Sequence, residues 1–490
     1  MNVCHRTVTQ SKAIRLSARV RFIAALALSL TLVACGGGSG SSGGAGTATP
    51  TAVLNQWTWE GGSNTVDAAG VYGTLGTSAS TNVPGARFGA VDWTDANGNR
   101  WLFGGFGHDS AGTRDYLNDL WKFSPTSNQW AWEGGSNTID AAGVYGTLGT
   151  PAPGNIPGAR RYAVDWTDAR GNLWLFGGYG YDSTGTLGDL NDLWEFSPTS
   201  NQWTWEGGSS TVNTAGVYGT LGTPASTNVP GARSGAVAWT DANGNRWLFG
   251  GDEYVSSGTP RFLNDLWEFN PATSQWTWEG GSNTVNAAGV YGTLGTSVAG
   301  NIPGARELAV DWTDARGNLW LFGGYAYDSA GNLGYLNDLW EFSPASNQWT
   351  WEGGSNTVNT AGVYGTLGTP ASTNVPGARV AAKNWTDANG NVWLFGGEAY
   401  GSDGLRRLIN DLWKFNPATS QWTWEGGSST GDATDVYGTL GTPAPGNIPG
   451  ARGYYDTWTD ASGTVWLFGG YGAASTGTQG ELNELWTYRP

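Results

Sequence analysis

The chain has 490 residues, with 80 glycines, 30 tryptophans, charged residues at 13% and a formal charge of −16. So acidic a balance excludes the electrostatic footprint of a nucleic-acid binder. The glycine and aromatic content points to many short strands joined by tight turns.

The first element is a targeting segment. Residues 1–34 hold Arg6, Lys12, Arg15, Arg19 and Arg21 and no acidic residue, and an apolar run from Phe22 to Ala34 is too short to span a membrane. This is the pattern of a signal peptide. Its end, Leu32-Val33-Ala34-Cys35 followed by Gly36-Gly37-Gly38, resembles the bacterial lipobox. The resemblance implies lipidation of Cys35, anchorage in a membrane and a cell-envelope location. In a Gram-negative cell, Gly36 after the lipidated cysteine implies the outer membrane. Cys4 leaves with the signal peptide, so no disulfide forms within the mature monomer. Residues 35–54 are rich in glycine, serine and threonine and read as a tether, with a reach of roughly 25 Å.

From residue 55 to 490 one unit of 73 residues recurs six times without insertion or deletion. A QWTW-like motif opens at Trp57, Trp130, Trp203, Trp276, Trp349 and Trp422. WLFGG-like and NDLW-like motifs keep the same period. Such a period fits one four-stranded blade with a long loop. In the first copy, strand a is expected from Phe88 to Trp93 and a hairpin at Asp95–Asn99 leads into strand b, Arg100 to Phe103. After Gly104-Gly105 a variable loop precedes strand c, Asp119 to Phe123. Strand d follows from Gln129 to Glu133.

The folded part begins with a strand d, Asn55 to Glu60, and stops just after a strand c. Six copies of a, b and c are matched by six of d only if the first d pairs with the last c. The expected fold is therefore all-β: a six-bladed β-propeller of four-stranded antiparallel blades, closed by the N-terminal strand pairing in the last blade.

The double glycine ending strand b, the tryptophans of NDLW and QWTW and the arginine of PGAR resemble the kelch repeat, over residues 55–490. That resemblance implies a propeller like the central domain of galactose oxidase. It does not supply a function, since the fold hosts binding modules and enzymes alike. The connection from strand d to the next strand a, about 27 residues, is longer than most kelch connections and could form an added layer on one face.

Several motifs are weighed and set aside. The copper site of galactose oxidase needs two histidines, and here only His5 and His108 exist, His5 within the signal peptide. His108 reads most simply as a solvated loop residue. Asp95, Asn97 and Asn99 mimic the start of a calcium loop, but Arg100 stands where glycine is required. The stretch from Thr94 to Trp101 resembles a sialidase Asp box, except for Ala96 in place of an aspartate. The repeated arginines Arg87, Arg160, Arg233, Arg306, Arg379 and Arg452 could ring an anionic ligand. More simply, each pairs with a Glu60-type or Asp119-type carboxylate. No cofactor, metal or catalytic residue is assigned.

Copies one, three and five share one wording and two, four and six another, so the array grew by copying a two-repeat unit, and identity records descent. Differences carry the signal. After PGAR the copies read FGAVDW, RYAVDW, SGAVAW, ELAVDW, VAAKNW and GYYDTW. After the double glycine stand Phe106, Tyr179, Asp252, Tyr325, Glu398 and Tyr471, and two residues on His108, Tyr181, Tyr254, Tyr327, Tyr400 and Ala473. With Glu253, these aromatic and acidic residues are the expected ligand-binding set. They suit a sugar or peptide pocket on the face that bears the b–c and d–a loops.

The tether enters at the opposite face, so this one should point away from the membrane. The expected function is a lipid-anchored binding or scaffold module for an envelope protein or glycan. The competing reading is a sugar mutarotase or epimerase, as in some bacterial kelch propellers, using Glu398, Glu253, Glu307 or Arg161.

Overall fold

The computed structural model describes residues 54–253 and 261–490, which belong to one compact unit. The signal peptide, Cys35, all but the last residue of the tether, and Tyr254 lie outside them. The described residues are all-β, and no helix occurs among them.

The copies build antiparallel sheets whose strands follow chain order, the last copy taking Trp57–Gly61 as its fourth strand. In the first, Val91–Thr94 (strand a) pairs with Arg100–His108 (b), b with Arg114–Ser124 (c), and c with Gln129–Gly134 (d). The same order recurs through the chain, with the fifth copy divided into two sheets. Asp95 makes the a–b hairpin by accepting the backbone N–H of Asn97 and of Asn99, each at 2.9 Å. That is an Asx turn, and it accounts for the calcium-like spelling.

Strand a departs from expectation. Instead of one strand from Phe88 to Trp93 there are two pieces, Arg87–Phe88 and Val91–Thr94. The break falls at a residue with left-handed φ in every copy: Gly89 (66°), Tyr162 (56°), Gly235 (63°), Leu308 (53°), Ala381 (53°) and Tyr454 (62°). Only two are glycines, so four side chains sit where an L-residue is penalised by roughly 1–2 kcal/mol. Main-chain hydrogen bonds run through these residues from copy to copy. Tyr162 donates to Gly89 O at 2.9 Å, Gly235 to Tyr162 O, Leu308 to Gly235 O, Ala381 to Leu308 O and Tyr454 to Ala381 O; Gly89 in turn donates to Tyr454 O at 3.0 Å.

Strands b and c are longer than expected. Strand b runs through the double glycine to His108, with a register shift between Phe103 and Gly105. Gly104 and Gly105 both take positive φ, and a Cβ on Gly104 would meet Arg160 O at 2.8 Å. The residues after the double glycine are therefore strand residues, not loop residues.

The tryptophans lie between sheets. One buried cluster joins Trp93, Trp101 and Phe103 of the first copy to Leu175, Trp194 and Trp203 of the second. The repeated arginines pair with the Asp119-type carboxylate, both partners buried, and so form no cationic ring facing solvent. Glu60 instead accepts the Thr487 hydroxyl.

The long d–a connections do more than layer one face. The loop between Trp57–Gly61 and Arg87 runs back along the outermost strand of the next sheet, where Gly76 N–H donates to Trp132 O at 2.7 Å and Ala79 bridges Trp130. Tyr72 packs between Trp121 and Trp132. An exposed strand edge is a template for aggregation, and this loop covers it.

The two ends meet. Trp57–Gly61 pairs antiparallel with Gln479–Tyr488, with Trp59 opposite Trp486. Gly441 N–H, in the last d–a loop, donates to Trp59 O at 2.7 Å. Val91–Thr94 touches both Val164–Thr167 and Asp456–Thr459. Repeated antiparallel sheets in this order are compatible with a β-propeller.

Candidate functional site

Two cavities meet at the left-handed residues, and Tyr162 and Tyr454 line both. The first, of about 330 Å³, is lined by strand-a residues of all six copies. The second, of about 570 Å³, lies at strand-a residues Phe88 and Arg161, with Arg114, Glu398, Arg406, Arg407, Tyr471 and Gln479 around it. It is the better ligand site by size and by chemistry.

Arg161 is the distinctive group in the larger cavity. Its guanidinium carbon stands 4.9 Å from the ring centre of Tyr162, 5.4 Å from Phe106, 5.5 Å from Tyr116, 5.7 Å from Phe88 and 6.0 Å from Tyr179. Ring faces attract a cation without neutralising it. No carboxylate of the described residues lies in ion-pair range, and its buried Nε has no hydrogen-bond partner. The other cavity arginines are paired: Arg114 with Glu481, Arg406 with Glu398 and Arg407 with Asp403 and Asp432. Arg161 is the guanidinium left to take an anionic oxygen pair.

Of the residues expected to bind ligand, Glu398 and Tyr471 line this cavity. Phe106 and Tyr179 stand behind it as faces for Arg161. The remaining tyrosines pack against strand c. Tyr181 meets Tyr116, Tyr325 and Tyr400 meet Tyr335, and Tyr327 meets Phe262. Glu398 accepts the Tyr335 hydroxyl at 2.9 Å. Asp252 bridges Ser234 through the backbone, and Glu253 pairs with Arg261 at 3.2 Å, so neither lines the larger cavity. His108 is not a solvated loop residue. It ends strand b at 7% exposure and faces Asp67 and Glu481.

Sequence reasoning missed Tyr116, Phe262 and Tyr335, and also Tyr162 and Tyr454. The signal was present: the strand-c position reads Tyr116, Asp189, Phe262, Tyr335, Leu408 and Glu481 across the copies, as variable as those chosen.

The smaller cavity is acidic, with Lys383 set among Asp165, Asp311 and Asp456. Burial pushes these carboxyls up, to about 6, 7 and 7, against the pull of Lys383. Glu307, the fourth-copy counterpart of Arg161, is pushed higher. Burial first, then the charges of Asp252 and Asp189, raise it to about 8 against the pull of Arg161. Burial thus favours its protonated form.

No protein-family model and no curated protein sequence matches this chain.

Proposed function

We propose that residues 55–490 form one six-bladed propeller of the kelch kind, carried at the cell envelope by a lipid on Cys35, and that it binds carboxylated saccharides. The ring reading is supported by the main-chain hydrogen bonds that pass through all six copies and return from Gly89 to Tyr454, and by the pairing of the first strand with the last. The lipid anchor rests on the sequence pattern around Cys35. The outward orientation of the cavity rests on the sequence order alone, in which the tether precedes the strand that begins at Asn55.

One observation carries the ligand class: Arg161, without an ion-pair partner among the described residues and boxed by aromatic rings, on a cavity of about 570 Å³. A bidentate guanidinium–carboxylate contact fixes an acid group, while Phe88, Tyr162, Tyr454 and Tyr471 offer faces to the apolar side of a sugar ring. The experiment is a screen of the full chain against neutral and carboxylated glycans. Binding confined to carboxylated members supports the reading. Preference for neutral glycans or for an acidic peptide overturns the ligand class.

A second reading, interconversion of sugar anomers, draws on Glu307 as proton donor, its carboxyl raised by burial to about 8 near Arg161; Glu307 lines neither cavity, so the reading requires the bound sugar to reach past the lining. Glu398 would serve as the acceptor. Exchange spectroscopy on anomers of a bound sugar acid tests it, and exchange no faster than in buffer removes it.

A further inference from the structure

We propose that Asp67, His108 and Glu481 form a site for one divalent first-row transition cation of the zinc class, placed where the first and last copies meet.

The three ligand atoms lie within 4.8 Å of one another. His108 Nε2 stands 3.5 Å from Asp67 Oδ1 and 3.5 Å from Glu481 Oε2. Two ligands of a tetrahedral zinc ion, at bond lengths of about 2.1 Å, are separated by ~3.4 Å, so these spacings suit a shared ion. The same spacings are too long for good hydrogen bonds.

The hydrogen-bond pattern argues the same way. Nδ1 of His108 is 3.2 Å from Gly112 O, a partner that can only accept, so Nδ1 carries the hydrogen. Nε2 stands between the Asp67 and Glu481 carboxylates, 3.5 Å from each. It is buried and has no hydrogen-bond partner, and the side chain is 9% exposed. A cation satisfies all three at once. The tie at Nδ1 is also the contact that orients metal-binding histidines.

Glu481 is held for this role. Arg114 Nε bonds its Oε1 at 2.8 Å, which leaves Oε2 toward His108. Asp67 sits at a left-handed φ of 61°, and its Oδ1 accepts Glu481 N–H at 3.0 Å across a separation of 414 residues.

The trio assembles at this junction alone among the described residues. Tyr181, Tyr327, Tyr400 and Ala473 occupy the matching positions to His108; Tyr116, Asp189, Phe262, Tyr335 and Leu408 match Glu481. An ion here would tie the first copy to strand c of the last. Binding only the folded chain, it would stabilise that junction by mass action.

The test is zinc uptake by the full, chelator-stripped chain, measured by equilibrium dialysis and compared with His108→Tyr and Glu481→Gln. Tyrosine at the His108 position is already accommodated in three other described copies, and near-ultraviolet circular dichroism checks that each variant is folded. Comparison by difference also cancels any zinc held by Cys4, His5 or Cys35. The expected result is one equivalent of zinc per chain lost in His108→Tyr and affinity about tenfold weaker in Glu481→Gln. Zinc should also raise the unfolding midpoint of the wild type and not that of His108→Tyr. Equal uptake by the wild type and folded His108→Tyr overturns the proposal and leaves His108 as an imidazolium between two carboxylates.

Discussion

Arg233 grips Asp265 through two parallel bonds, Nη1 to Oδ1 at 2.7 Å and Nη2 to Oδ2 at 2.8 Å, with both side chains buried. Tyr218 OH and Trp267 Nε1 each donate to the same Oδ2 at 2.7 Å. One aspartate thus ties the PGAR arginine, the d–a loop and strand c together. Asp265→Asn keeps the shape but removes the charge, leaving Arg233 buried and unpaired. The loss expected is about 3–5 kcal/mol, measured by urea denaturation. A loss below about 1 kcal/mol would show that the pair is not needed to hold the sheet.

Ala381→Gly should not follow the usual rule that glycine weakens a folded chain. Ala381 holds φ of 53°, and the corresponding residues of the first and third copies are already glycine. Relief of left-handed strain should offset the added freedom of the unfolded chain, giving no loss and up to ~1 kcal/mol of gain. A clear drop in the denaturation midpoint would contradict the strain assigned to this position.

The pH response of Glu307 has a definite sign. In the unfolded chain its carboxyl ionises near the ordinary 4.5; in the folded protein burial holds the proton up to about 8. The folded state binds the extra proton between these values, so stability falls as pH rises through that window and levels above it. Glu307→Gln cannot ionise. Relative to the wild type it should gain stability steadily from about pH 4.5 to pH 8, read from denaturation curves at several pH values. A flat difference would place Glu307 in a solvated setting.

Deleting residues 55–61 would strip the partner from Gln479–Tyr488 and expose an unpaired edge that carries Trp486. The shortened chain should lose its cooperative unfolding transition and aggregate, seen by calorimetry and light scattering. A truncated protein that stays monomeric and unfolds as sharply as the intact one would mean that the last sheet does not depend on the N-terminal strand.

The repeat, the strand order and the pairing of the two ends were legible because the 73-residue period places the same strand and turn residues in register six times. The role of the arginines was legible as a pair of alternatives, and the distances select Asp119 over Glu60. The turn at Tyr162 and Tyr454 was not legible, because hydrogen bonds between copies impose left-handed φ on residues whose own preferences oppose it. The sequence puts Phe106 and Tyr179 in loops as ligand contacts; the strand continues through Gly104-Gly105 and makes them a wall behind Arg161 instead. His108 gained its meaning only when residues 414 positions apart, Asp67 and Glu481, were brought to its side.

The most direct test is a calorimetric titration of the carboxylated glycan that binds best into the wild type and into Arg161→Ser, the change that copies Ser234 of the third repeat. If the cavity at Arg161 is the binding site, the variant should fold as before and lose roughly tenfold or more in affinity, in keeping with about 1.5–3 kcal/mol for hydrogen bonds to a charged group. The wild-type affinity should also weaken with added salt. Unchanged affinity in a folded Arg161→Ser protein would contradict the account.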